Sequence, residues 1–212
     1  MLNMDFSERV VIDTANQEWV ATPLAGVWRK PLAREEAECG HATSIVRYDP
    51  GSSFSAHDHP LGEEILVLEG TFSDETGNYP AGTYFRNPEG FRHAPFSREG
   101  CLILVKLHQF QLNDSTHLCI DTDSADWEGS PDGVRILQLH EFNGELVRLI
   151  SFPASAAYSV QGAAEIYVIR GELRDEQGVY PAGTWVRNPG TVELSLKPII
   201  ETRIWIKTGH LF

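Results

Sequence analysis

The chain has 212 residues, 42% hydrophobic and 22% charged, the balance of a globular protein rather than a disordered one. Its formal net charge of −13 is spread evenly, −7 over residues 1–112 and −6 over the rest, with no Lys/Arg cluster. Such a surface repels phosphate backbones, so nucleic acid is not an expected partner.

No apolar run approaches the ~20 residues that span a bilayer. The opening MLNMDFSERV has no apolar signal region, so a cytoplasmic protein without a membrane contact is expected. Cys39, Cys101 and Cys119 are too few and too scattered for a disulfide framework, and none sits in a CxxC pair. Cys101, inside the run CLILVKL, reads as a small buried hydrophobe.

The chain opens with no strong element, and PLAREEAE (31–38) is at best a turn or two of helix. Strand-like runs follow in order: SIVRY, EILVLEG, TYFRN and CLILVKLHQF, then RILQL, LVRLISF, EIYVIRG and TRIWIK. All are rich in Val, Ile, Leu and aromatics, and DPG, ETGN, YPAG, NPEG, EQG and NPG supply the turns between them. Many short strands at regular spacing predict an all-β sandwich or barrel.

The pattern runs twice. GTFSDETGNYPAGTYFRNP (70–88) aligns without a gap with GELRDEQGVYPAGTWVRNP (171–189), identical at 12 of 19 positions. EILVLEG matches EIYVIRG, and LILVK (102–106) matches RIWIK (203–207). Two small barrels in tandem are therefore expected. The first is assigned to residues 1–112 and the second to 125–212, with the polar segment 113–124 as linker.

The chemistry is confined to the first copy. His57 and His59 are one residue apart, which on a strand points both imidazoles to one face. The PLG turn follows, and Glu63 opens the next strand within reach of the same point. His93 arrives on a strand after the turn RNPEGF. Three imidazoles and a carboxylate suit one divalent first-row metal, Zn²⁺ foremost, with Fe²⁺, Mn²⁺ or Ni²⁺ as alternatives. Period-2 alternation sends Glu64 to the opposite face, and its counterpart Glu165 persists in the other copy, so Glu64 is assigned a structural or surface role. His41, His108, His117, His140 and His210 fit no ligand pattern. Arg47, Arg86, Arg92 and Lys106 could orient an anionic substrate, but read first as surface charges.

In the second copy the four ligand positions align with Tyr158, Val160, Ala164 and Leu194, with a two-residue gap able to shift the first pair. No His lies between 141 and 209. That barrel is expected to be metal-free and architectural, and a homodimer is a further expectation.

These spacings carry a resemblance. Gly51, five residues, His57-x-His59, three residues, Glu63, six residues and Gly70 fit the first cupin motif. Gly82, five residues, Pro88-x-Gly90, two residues and His93 fit the second, with Ser97 where the family usually has Asn. The stretch from GEEILVLEG to KLHQF, with WVATPLAGVWRK upstream, resembles the cupin-like domain of ChrR anti-sigma factors and their stand-alone relatives.

The resemblance implies two tandem cupin (jelly-roll) domains, with His57, His59, Glu63 and His93 as metal ligands in the first and a small-molecule ligand there as partner. It further implies a regulatory or sensor role in oxidative-stress or small-ligand response. Direct sigma-factor binding is not expected, because the chain shows no helical His/Cys zinc pattern. The alternative reading is a cupin-type dioxygenase acting on a small diketone-like or phenolic compound. No catalytic acid–base pair and no organic-cofactor motif stand out, and a closed structural Zn²⁺ site is a third option.

Overall fold

The protein, described by a computed structural model over residues 1–36, 40–154, 156–190 and 194–211, is an all-β molecule of two compact units. One unit contains residues 1–4 and 18–124, the other residues 5–17 and 125–212. Among the described residues the one helical element is a 3₁₀ turn at Thr14–Asn16. Cys39 lies outside the described residues.

In the first unit the main sheet is antiparallel. Its order is Leu118–Asp121, Thr83–Asn87, Glu63–Asp74, Cys101–Leu107, Ala42–Tyr48, Val27–Arg34 and Val20–Ala21. Against one face lie the short pairs His57–Asp58 with Arg92–His93, and Ser52–Ser53 with Phe96–Ser97. Val27, Tyr48, Ile65, Val67, Phe72, Phe85 and Ile103 fill the space between and form the core, with Cys101 among them. Burial pushes the Cys101 thiol up to about 11, so it packs as an inert apolar group. Ser97, in the place where the resemblance leads one to expect Asn, is buried and donates to the Thr71 carbonyl at 2.7 Å.

The second unit repeats that sheet strand for strand: Val10–Asp13, Thr184–Asn188, Ala164–Arg170, Thr202–Thr208, Glu145–Phe152, Arg135–Phe142 and Glu128–Gly129. A four-stranded sheet of Tyr158–Val160, Leu194–Pro198, Glu172–Arg174 and Val179–Pro181 covers it. Gly70 and Gly171 hold φ of +68° and +87° at a bulge in each barrel. A Cβ on either would collide with a backbone carbonyl, of Gly100 or Glu201, which is why both copies keep glycine there.

Three readings change. The segment PLAREEAE is not helical where it is described: Pro31–Arg34 end a strand. Proline is tolerated at a bulge, and the register shifts here between Pro31 and Ala33. The segment assigned as linker contains the strand Leu118–Asp121, which pairs with Thr83–Asn87. Residues 5–17, assigned to the first domain, belong to the second unit.

The last two changes are one phenomenon. VVIDTANQEW (10–19) and LCIDTDSADW (118–127) are the matching leading strands of the two copies. Val10 sits opposite Arg187, and Leu118 opposite the equivalent Arg86. Thr14 Oγ1 donates to the Gly183 carbonyl at 2.7 Å, and Thr122 Oγ1 to the Gly82 carbonyl at 2.6 Å. Each copy's leading strand thus completes the sheet built by the other copy, covering what would be a bare sheet edge.

Candidate metal centre

The site forms where two short strands meet the start of a long one. His57–Asp58 pairs with Arg92–His93, with His93 directly opposite His57. Between His59 and Glu63 the chain reverses in a tight turn, with Gly62 N–H donating to the His59 carbonyl. Leu61 and Gly62 both take positive φ, and a Cβ on Gly62 would lie 2.5 Å from the Phe110 ring. Glycine therefore lets the turn close tightly enough to deliver Glu63 beside the histidines.

His57, His59 and His93 converge, each offering a ring nitrogen within 4.8 Å of the others. His59 Nε2 and His93 Nε2 stand 2.8 Å apart. Glu63 Oε2 lies 3.6 Å from the first and 3.5 Å from the second. His59, His93 and Glu63 are buried, while His57 is partly exposed.

Each group is held from behind. His93 Nδ1 faces Asp74 Oδ2 at 3.0 Å, His57 Nδ1 faces the Ser55 carbonyl at 2.9 Å, and Asn87 Nδ2 donates to Glu63 Oε2 at 3.1 Å. Contacts of this kind fix the tautomer and ring orientation of metal-binding imidazoles. Asp74 is itself pinned by Thr76, Gly77 and Tyr79.

Burial and neighbouring charges shift the groups at the convergence point in different directions. Burial, reinforced by the neighbouring His93 and His57, lowers the His59 pKa to about 3, so that ring is neutral at ordinary pH. Burial raises the Glu63 carboxyl, against the pull of His93 and Asn87. Burial opposes charge on Asp74 as well, yet hydrogen bonds from His93 and Thr76 win and hold it near 2. His93 is raised: the Asp74 contact and the Glu63 charge outweigh burial. Two imidazole nitrogens 2.8 Å apart beside a desolvated carboxyl group are a fitting donor set for a divalent ion, which would bind them in their deprotonated forms.

A cavity of about 460 Å³ adjoins His57 and His59, with Leu24, Val46 and Phe54 among its apolar lining. His108, which fits no ligand pattern in the sequence, lines it too. The residues read as surface charges divide. Arg47 and Arg92 are at least partly exposed and pair with Asp49 and Asp58. Arg86 and Lys106 are fully buried. Arg86 binds Asp114 at 2.5 Å and Glu64 at 3.5 Å, so Glu64 is a buried structural carboxylate.

Asp74 and Asn87 escape a sequence reading because both copies keep them, as Asp175 and Asn188. In the second copy they do other work: Arg9 binds Asp175 at 2.5 Å and Asn188 at 2.8 Å. Retention in the copy that lacks the histidines therefore hides from the sequence that Asp74 and Asn87 contact His93 and Glu63 in the first.

Strand pairing also settles the alignment of the first histidine. Leu194, the counterpart of His93, sits opposite Val160, so Val160 rather than Tyr158 occupies the His57 position. The turn before Ala164 is two residues shorter than the one before Glu63. Val160, Ala164 and Leu194 all belong to the hydrophobic core of that barrel.

Two antiparallel barrels with a histidine cluster inside one define a cupin-type double barrel. The chain belongs to the ChrR cupin-like domain family, whose family model matches residues 7–111 and again 115–211. Both matches include the leading strands. Solved structures with the same fold include a candidate dioxygenase from Nostoc punctiforme, 16% identical over 97% of this chain and 84% of that one, TM-score 0.78. The bacterial pirin YhhW from Escherichia coli, solved in complex with nickel(II), is 11% identical over 94% and 98%, TM-score 0.71. Oxalate decarboxylase from Bacillus subtilis, with Mn(II) centres, is 13% identical over 95% and 78%, TM-score 0.68. No curated protein matches the sequence. Among the described residues no helix is long and apolar enough to cross a membrane.

Proposed function

We propose that the first barrel binds one divalent transition metal through His57, His59, Glu63 and His93, and that the loaded centre serves a cytoplasmic regulatory module responding to a small ligand or an oxidative signal. The observation carrying this reading is the convergence of three ring nitrogens within 4.8 Å beside a buried carboxylate, next to a cavity of about 460 Å³. A closed structural site would need no such cavity. Zn²⁺ is the first expectation for the ion, followed by Fe²⁺, Mn²⁺ and Ni²⁺, since imidazole and carboxylate suit all of them.

In such a centre the protein's own groups do the shaping. Asp74 holds the His93 ring, the Ser55 carbonyl holds His57, and Asn87 fixes Glu63. The bound ion would supply Lewis acidity beside the cavity. A second reading, O₂-dependent cleavage of a small diketone-like or phenolic compound, draws on the same cavity, because both substrate and O₂ would need room beside the ion.

Metal analysis of purified protein tests the centre. One equivalent of metal per chain is expected, falling to zero in His57→Ala/His59→Ala with the fold intact by circular dichroism. Stoichiometric metal in that double variant would refute the ligand assignment. Closed four-coordinate Zn²⁺ by X-ray absorption would leave the structural option standing. O₂ uptake on a panel of diketones and phenols would move the enzyme reading ahead of the regulatory one.

A further inference from the structure

The wall of the first-barrel cavity carries a feature that metal binding does not use. The strand Ala42–Tyr48 brings Ala42, Ser44 and Val46 to that wall, as period-2 alternation requires. Thr43, between them, instead receives a hydrogen bond from the buried Lys106 at 3.0 Å. Ser44 is 2% exposed, and its hydroxyl has no hydrogen-bond partner among the described residues. Its cross-strand neighbours are Val105 and Pro31, whose side chains offer it neither donor nor acceptor. Burying a hydroxyl in that state is costly, and an alanine like the one at Ala42 would avoid the cost.

The charged groups around the cavity are already matched within the protein. Arg92 Nη1 lies 3.1 Å from the Asp58 carboxylate. Arg29 and Arg34 both reach the wall, and both are engaged by other groups of the chain. Burial lowers the His108 pKa, and the charges of Glu35 and Arg34 act on it in opposite directions. An incoming ion would therefore find no uncompensated charge to meet it. It would meet Leu24, Val46 and Phe54, and beside them the Ser44 hydroxyl.

The second copy provides the control. Ser44 sits opposite Val105 and Ala42 opposite Leu107; in the second barrel Arg148 sits opposite Ile206 and Leu146 opposite Thr208. Leu146, Arg148 and Ile206 are each larger than Ala42, Ser44 and Val105, the residues they stand in for. The cavity they line, with Val160 at the His57 position, has about 200 Å³ where the first barrel has about 460 Å³. The copy without the histidines has thus lost both the room beside them and the small hydroxyl.

We infer that the cavity takes a small uncharged organic molecule, an aromatic or branched apolar body bearing one hydroxyl or carbonyl group, and that Ser44 recognises that group. A serine hydroxyl both donates and accepts, so either group satisfies it. The apolar body would rest on Leu24, Val46 and Phe54. A charged molecule of the same size would lose its hydration without gaining an ion pair. The inference rests on the reading of this barrel as the one that holds metal and ligand, and adds the ligand's class and the residue that selects it.

Ligand-detected NMR titration of the full chain, as purified and after chelation, with benzyl alcohol, toluene and benzoate tests it. Saturable binding of benzyl alcohol is expected. Toluene should bind about three- to tenfold more weakly, the loss of one neutral hydrogen bond, and benzoate weaker than the alcohol by about tenfold or more. This ranking should survive chelation, because Ser44 rather than the ion sets it. Ser44→Ala should bring the alcohol down to the level of toluene and leave toluene unchanged. Ser44→Leu, which fills the chamber, should abolish binding of both. If these variants fail to fold, the ranking of the three probes on the parent chain remains the readout. Benzoate binding as well as the alcohol, a preference over toluene that vanishes with the metal, or a Ser44→Ala chain that ranks the probes as the parent does would overturn the inference. A chain that retains one metal but does not bind the alcohol removes the ligand class and leaves the metal centre. A chain that never holds metal yet binds the alcohol through Ser44 does the reverse.

Discussion

The two barrels share one strand order, one bulge pattern and one set of buried charges, yet among the described residues only the first presents ring nitrogens to a common point. In the second, Val160, Ala164 and Leu194 occupy the corresponding places and belong to its core. Burying an aliphatic side chain contributes about 1.5–3 kcal/mol. A metal site on this scaffold therefore occupies positions that would otherwise add to packing. Holding His59, Glu63 and His93 away from water in the first barrel forgoes that contribution and adds a desolvation cost. A bound ion could return both. In the second barrel those positions add to the hydrophobic core instead.

That comparison can be strained most severely where a charge is buried. Lys207 and Glu145 in the second barrel, at 0% and 1% side-chain exposure, form an ion pair of 2.7 Å. Lys207→Met leaves the carboxylate buried without its cation and should destabilise this barrel by about 3–5 kcal/mol, read by urea unfolding. Lys207→Met/Glu145→Leu should recover most of that loss. Metal content should be unchanged in both variants.

Leu194→His places an imidazole where His93 stands in the other copy. With Val160 and Ala164 as neighbours it gains no partner ligands. The expected result is a loss of about 2–4 kcal/mol and no second equivalent of metal. A second equivalent would mean that the copies differ less than their cores indicate.

Asp74→Asn removes the carboxylate behind His93 and should weaken metal binding about 10–100-fold, measured by competition with a chromogenic chelator. Asp175→Asn, at the matching position, should leave metal affinity alone and loosen the contacts to Arg9 and Tyr180. Equal effects on metal would show that Asp74 acts through the fold rather than through His93.

The smallest effect is a pH dependence in metal-depleted protein. The Asp74 pKa falls from 3.8 to about 2 on folding, so its contribution is present above pH 3.8 and fades as pH drops through 2. His93 works the other way. Its pKa is raised from 6.5, so its share is present below 6.5 and fades as pH climbs through the raised value. Asp74→Asn should flatten the acid limb of the stability profile, and an unchanged limb would assign it to other carboxylates.

Much of this was legible in the sequence. Turn chemistry and β-branched runs gave the strands, the 101-residue offset gave the tandem, and the spacing of His57, His59, Glu63 and His93 singled out the residues that the fold brings together. What stayed hidden shares a physical cause. Asp74 and Asn87 draw no notice in the sequence, because repetition cannot distinguish a residue kept for one reason from one kept for two. Arg86 and Lys106 looked exposed because buried cations follow no hydropathy pattern, only the carboxylates that the fold sets beside them. Arg34 faces the cavity through a bulge that its neighbours in sequence do not announce. The leading strands were missed because IDT is too short to align without knowing what it pairs with.

Those leading strands limit how the two copies can part company in evolution. A gene that split between them would yield halves that each carry the other's edge strand. Neither half would possess the hydrogen bonds that finish its own sheet unless it met its sibling again. The second barrel cannot simply be discarded, because its copy owns Leu118–Asp121, a piece of the barrel that holds the histidine cluster. Inheritance of the histidine cluster is in this sense joint property, held by two copies that each finish the other's sheet.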